Sequence, residues 1–200
     1  MNKGFYFIIR GILWVIFNII YRIEVIGDNS KKEDRVMICS NHTSDLDPII
    51  LAITYKPPIH FMAKKELFKN FVFGYLLGKA GAFPVDRENT DIKSIRHGMG
   101  LLRDSEVLGV FPEGTRVSNI DYNNMKEGVS LIASKSKASI QPVYISTNYK
   151  PFSKIRVYYR EPIHIEQFSG LPKKLQVSEI TRELFNSIYD LESGNDNQNC

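Results

Sequence analysis

The chain has 200 residues and a mass of 23.0 kDa, with 43% hydrophobic and 24% charged residues. That is the make-up of one ordinary globular domain, and it excludes a disordered chain, a collagen-like chain and a polytopic membrane protein. The net charge of +4 is mild, and two cysteines, Cys39 in an apolar run and Cys200 at the end, exclude a disulfide framework and fit a reducing compartment.

Residues 4–21, GFYFIIRGILWVIFNIIY, are interrupted only by Arg10 and Asn18. As a helix this run is about 27 Å long, close to the thickness of a bilayer's hydrocarbon core. No small-x-small cleavage site follows it, which argues against a secretory signal. Arg10 at mid-span would cost a spanning helix about 2.5–3.5 kcal/mol. On a helical wheel Lys3, Arg10, Gly11 and Asn18 share one narrow stripe. The reading is a membrane-associated helix over 1–21 that lies in the headgroup plane with Arg10 in water. A spanning helix and a core helix packed on the domain are the alternatives.

From Arg22 onward, short β-branched runs alternate with helical patterns. RIEVIG (22–27) and VMICSN (36–41) read as strands joined by a polar loop. Asp47 and Pro48 open a helix that runs to about Ile53. IHFMA (59–63) is a strand, 66–79 a helix with a break near Gly74, and GAFPV (81–85) a strand. A helix over 90–103 carries Ile92, Ile95, Met99 and Leu102 on its apolar side. VLGVF (107–111) is a buried strand, Lys126–Ser136 a helix, and SIQPVYI (139–145) and IRVYYR (155–160) are strands. A last helix spans about Val177–Leu191. Residues 22–192 thus form one domain, and 193–200 read as a disordered tail. Strands separated by helices imply crossover connections. The fold class is therefore α/β, a twisted, mixed, largely parallel sheet with helices on both faces.

Such sheets bind ligands beyond the carboxyl ends of their strands, and three polar clusters fall there. The first, NHTSDLDP (41–48), places His42 directly after an apolar strand and Asp47 five positions on. A loop turning into a helix can join the carboxylate to one imidazole nitrogen and leave the other as a base. Read alone, the pair also fits a hydrogen-bonded turn histidine with a helix cap. No G-x-S-x-G elbow supplies a nucleophile, so the attacking hydroxyl can belong to the substrate. The second cluster, FPEGTR (111–116), offers Gly114 for close backbone approach to an anion, the Thr115 hydroxyl and the Arg116 fork. Glu113 would repel a bare phosphate, so it suits orienting a basic residue or accepting a substrate hydroxyl. The third, GAFPVDR (81–87), ends in Arg87; together with Lys64 and Lys65 it could form a basic wall for a phosphate monoester. Residues 60–103 hold eight basic side chains against four acidic ones, which suits an anionic partner or a solvated helix face. No P-loop, G-x-G-x-x-G, H-E-x-x-H or metal-spaced Cys/His set is present. Aromatic and basic residues do not interleave as a nucleic-acid stacking platform would need.

Taken together, NHTSDLDP, GAFPVDR, FPEGTR and IQPVYI resemble the four ordered blocks of the glycerolipid acyltransferase family, and within it the bacterial enzymes acting on 1-acyl-sn-glycerol-3-phosphate. The resemblance covers roughly 35–165, and MKEGVSLIA (125–133) extends it. Val117 stands where a serine is common, and Gln141 where an aliphatic residue usually precedes the proline. The resemblance implies transfer of a fatty acyl chain from acyl-CoA or acyl carrier protein to the sn-2 hydroxyl of lysophosphatidic acid, giving phosphatidic acid. It makes His42 the general base and Asp47 its holder. Arg87, Glu113, Gly114, Thr115 and Arg116 become the acceptor site, with Lys64 or Lys65 and Arg116 on the phosphate. It implies no metal or redox cofactor, and a place on the cytoplasmic face of the cell membrane. The competing readings are another acceptor, such as a different lysolipid or glycerol-3-phosphate, and a non-catalytic peripheral phosphatidate-binding protein.

Overall fold

A computed structural model describes residues 1–86 and 91–190. Seven strands form one sheet in the order β1-β7-β6-β2-β5-β3-β4. They are β1 Arg22–Ile26, β2 Val36–Ser40, β3 Ile59–Lys64, β4 Phe83–Val85, β5 Val107–Val110, β6 Ser139–Ser146 and β7 Lys154–Tyr159. Among the described residues the α-helices are α1 Lys3–Ile20, α2 Asp47–Thr54, α3 Phe71–Lys79, α4 Ile92–Arg103, α5 Gly128–Ser136 and α6 Lys173–Tyr189. Strands β6, β2, β5, β3 and β4 run parallel; β7 pairs antiparallel with β6 and parallel with β1. The sheet is mixed and largely parallel, as its alternating pattern implied.

The central strand shows why. β2 is VMICS, a continuous apolar run buried at every position, as a strand covered on both faces must be. Its side chains alternate between two cores. Val36 and Ile38 pack with Phe17 of α1 and Ile50, Leu51 and Ile53 of α2. Met37 and Cys39 pack with Leu102 of α4, Val129, Ile132 and Ala133 of α5, and Ile180, Leu184 and Ile188 of α6. Burying one such large side chain contributes about 1.5–3 kcal/mol. Helices therefore cover both faces, and the carboxyl ends of β2, β5, β3 and β6 open in one direction.

Several boundaries differ from the sequence reading, each for a local reason. The expected helix over 66–79 is a 3-10 turn, Lys65–Phe68, followed by α3. Its break lies at Asn70, whose Oδ1 accepts from the Phe73 amide at 3.0 Å and starts α3; such a cap is worth about 1 kcal/mol. Gly74 lies inside α3 and does not break it; a Cβ there would lie 2.9 Å from Phe68 Cα, so the glycine serves the close packing of α3 on the preceding turn. α6 begins at Lys173, directly after Pro172, four residues before the expected start. The expected end of that helix at Leu191 and the tail at 193–200 lie outside the described residues.

Within the polar stripe of α1, Gly11 and Asn18 are exposed, but Arg10, expected in water, reaches the domain. Arg10 donates to the Lys56 carbonyl at 2.6 Å, and Lys3 pairs with Glu106 at 3.2 Å. α1 is not a core helix either: only Tyr6 and Phe17 are buried, while Ile8, Ile12, Trp14, Val15 and Ile19 are exposed.

Candidate active site

β2 ends at Ser40, and Asn41 then extends its ladder with a side chain. Asn41 Nδ2 donates to the Ile145 carbonyl at 3.0 Å, and Oδ1 accepts from the Ile145 amide at 2.8 Å. This clamp to β6 fixes the start of the loop that carries His42. His42 is buried, and its ring stacks on Phe111 with centroids 4.0 Å apart and planes at 19°. Phe111 stacks in turn on Phe61. Gly109 makes room for that column, because a Cβ there would come within 2.6 Å of the Phe61 ring.

His42 Nδ1 lies 3.0 Å from Asp47 Oδ2. A carboxylate only accepts, so Nδ1 carries the proton and Nε2 is left as the base. Nε2 makes no hydrogen bond among the described residues. Asp47, fully buried at the first turn of α2, also accepts from the Thr43 and Ser44 amides, each at 2.7 Å, on the same oxygen. Its other oxygen, Oδ1, accepts from the Tyr149 hydroxyl.

The second loop is stitched to the first. The Val117 amide donates to the His42 carbonyl at 2.9 Å, and the His42 amide donates to Glu113 Oε2 at 2.8 Å. Glu113 Oε1 accepts from the Tyr189 hydroxyl at the end of α6. Both oxygens of Glu113 thus serve the protein itself. Of the two expected roles for Glu113, touching the acceptor or orienting a basic residue, these contacts fit the second: the side chain holds the backbone of His42. Burial pushes the Glu113 carboxyl above the usual carboxylate range, with the Tyr189 and His42 donors acting the other way. Burial and the neighbouring carboxylates push the Tyr149 and Tyr189 phenols up, so both keep their protons and act as donors.

Gly114 turns the loop at φ +70°, in the left-handed region that favours glycine. Thr115 and Arg116 follow it into solvent, and Arg116 Nη1 pairs with Asp45 Oδ2 at 2.5 Å. The histidine loop and the arginine loop therefore share one rim. Lys64 and Lys65 stand at the carboxyl end of β3 and pair with Glu66 at 3.8 Å and Asp86 at 2.6 Å. Arg87 lies outside the described residues. No cluster of three or more metal-ligating side chains occurs among the described residues.

A buried imidazole with one nitrogen held by a carboxylate, beside a cationic rim on a mixed α/β sheet, is an arrangement that can serve general-base group transfer. The acyltransferase family model matches residues 22–146. A 1-acyl-sn-glycerol-3-phosphate acyltransferase of Bacillus subtilis is 36% identical over 172 residues, covering 83% of this chain and 85% of the relative. One of Streptococcus pneumoniae is 39% identical over 114 residues, covering 56% of this chain and 42% of the relative. The crystal structure of the 1-acyl-sn-glycerophosphate acyltransferase PlsC from Thermotoga maritima shares the fold, with a TM-score of 0.74 at 21% identity, covering 96% of this chain and 82% of that one. The chain belongs to the acyltransferase family.

Proposed function

We propose that this protein transfers a fatty acyl chain from a thioester to the sn-2 hydroxyl of 1-acyl-sn-glycerol-3-phosphate, giving phosphatidic acid for phospholipid synthesis. The relatives named above carry this activity in their names. The observation that carries the reading is the His42–Asp47 pair beside Arg116, a base and a phosphate grip on one rim. His42 Nε2 takes the hydroxyl proton as the oxygen attacks the thioester carbonyl. The tetrahedral intermediate collapses, the C–S bond breaks, and the imidazolium returns the proton to the departing sulfur. The products are the ester and a free thiol, on coenzyme A or acyl carrier protein. A thioester is already activated, so a positioned base and proximity supply most of the acceleration, and the route draws on no metal or redox group. Arg116, with Gly114 and Thr115, holds the acceptor phosphate, and Lys64 and Lys65 line the approach at the same end of the sheet.

The acceptor resides in a membrane, and two helices supply an apolar surface for one. α1 turns its apolar side outward, and α3 buries no residue at all, with Phe71 86% exposed. The two helices join where the Asn2 amide donates to the Lys79 carbonyl at 3.0 Å and Lys79 Nζ sits 5.9 Å from the Phe5 ring centre. We place this surface on the cytoplasmic leaflet, with α1 lying in the headgroup plane.

The test is purified protein with labelled acyl-CoA or acyl carrier protein against a panel of lysolipids and glycerol-3-phosphate. The reading expects label in phosphatidic acid from the lysophosphatidate arm. Label mainly in another product reassigns the acceptor, and phosphatidate binding without turnover in any arm removes the catalytic role.

A further inference from the structure

We propose that Tyr149 is a positioning residue for the base, acting through Asp47; the inference rests on the reading that His42 and Asp47 perform the chemistry. Asp47 Oδ2 receives three donors: His42 Nδ1 and the Thr43 and Ser44 amides. The opposite oxygen, Oδ1, receives one, the hydroxyl of Tyr149, from a turn 102 positions away. Three donors on one oxygen fix where that oxygen sits. The fourth, on the other oxygen, fixes the plane of the carboxylate and hence the direction in which Oδ2 meets the imidazole. Asp47 is fully buried, so water does not replace a lost donor cheaply.

The turn that presents Tyr149 is built for that purpose. Tyr149 sits at φ +54°, in the left-handed region that aromatic residues seldom occupy. Its amide donates to Thr147 Oγ1 at 3.0 Å, and the Lys150 amide donates to Asn148 Oδ1 at 3.0 Å. The Phe152 amide donates to the Ile20 carbonyl at the end of α1 at 2.7 Å. The Tyr21 ring meets the Tyr149 ring edge-on, with centroids 6.2 Å apart and planes at 86°. Local strain is thus held by three hydrogen bonds and one aromatic contact, and the phenol is delivered to one buried oxygen.

The experiment is a double-mutant cycle on the full chain, with acyl-CoA and lysophosphatidate in mixed micelles. Tyr149→Phe is expected to lower kcat about tenfold while both KM values stay within about twofold, the pattern of an interaction that acts on the chemical step. Asp47→Asn lowers kcat further, and Y149F added to D47N lowers it no more, because the tyrosine acts only through that carboxylate. Wild-type kcat in Y149F overturns the proposal. So does an additive loss in the double variant, which would mark a general packing role. Thr147→Val keeps the phenol but removes the acceptor of its amide, and is expected to give a smaller loss confined to kcat. If Y149F does not fold, an unchanged kcat in T147V overturns the proposal. Activity retained in His42→Ala would instead remove the reading of the site, and the role of Tyr149 with it.

Discussion

Arg116 is paired but not committed. Its partner Asp45 is 79% exposed and Arg116 itself 57%, so the ion pair is screened and weak, and a phosphate dianion can displace it. Arg116→Ala is expected to raise the KM for the phosphate-bearing acceptor about tenfold or more and leave the KM for the thioester nearly unchanged, the loss of one charge-assisted contact. Asp45→Asn removes the internal competitor and is expected to lower the acceptor KM. Steady-state kinetics with each substrate varied in turn checks both; equal effects on the two substrates would take Arg116 off the phosphate. Glu113 gives a prediction on stability. Its carboxyl is raised above its unfolded value by burial. Between the unfolded and folded values the native chain binds more protons, so stability falls as pH rises through that window. Glu113→Gln keeps an acceptor for the His42 amide and cannot ionise. Relative to wild type, its stability is expected to climb as pH rises from about 4.5 toward neutrality, measured by denaturant melts at several pH values. A difference independent of pH would contradict this. The contact between His42 and Asp47 was legible in the sequence because it is local, five positions along one loop. The sequence could not show the true partner of Glu113, because Tyr189 lies 76 positions away and no short motif marks it.

The two outward helices are where element and environment meet. Ile8, Trp14 and Ile19 are 64%, 53% and 70% exposed, so changing all three to serine removes apolar surface without emptying the core. That variant is expected to bind vesicles containing anionic phospholipid at least about tenfold more weakly, at an unchanged melting temperature, with a smaller loss for Phe71→Ser with Phe73→Ser. Vesicle sedimentation checks it, and full binding by the triple variant would remove α1 from the membrane surface. Hydropathy read α1 as an apolar helix with a polar stripe. It could not tell where Arg10 would turn, because its guanidinium satisfies itself equally well in water or on the Lys56 carbonyl. Likewise, an expected weak point at Gly74 turned out to be a close packing contact, and the real break came from the Asn70 cap.

Across the whole molecule, the parallel strands do the convergence. β2 delivers Asn41 and His42, β5 delivers Phe111 through Arg116, and β6 leads into the Tyr149 turn, all at one end of the sheet. The alternation of strands and helices made that end legible as a site before any contact was known. Strand order was not legible, since RIEVI and IRVYY lie far apart in the chain yet pair in parallel at the edge. Nor were the two tyrosines, which become partners of the buried carboxylates only through the turn after β6 and the end of α6. The proposed chemistry turns on the buried imidazole taking the proton from the acceptor hydroxyl. His42→Ala, assayed for phosphatidate formation from lysophosphatidate and acyl-CoA at saturating substrate, tests it most directly. kcat is expected to fall by about 10²–10⁴-fold with both KM values little changed. Turnover by the alanine variant at the wild-type rate would contradict it.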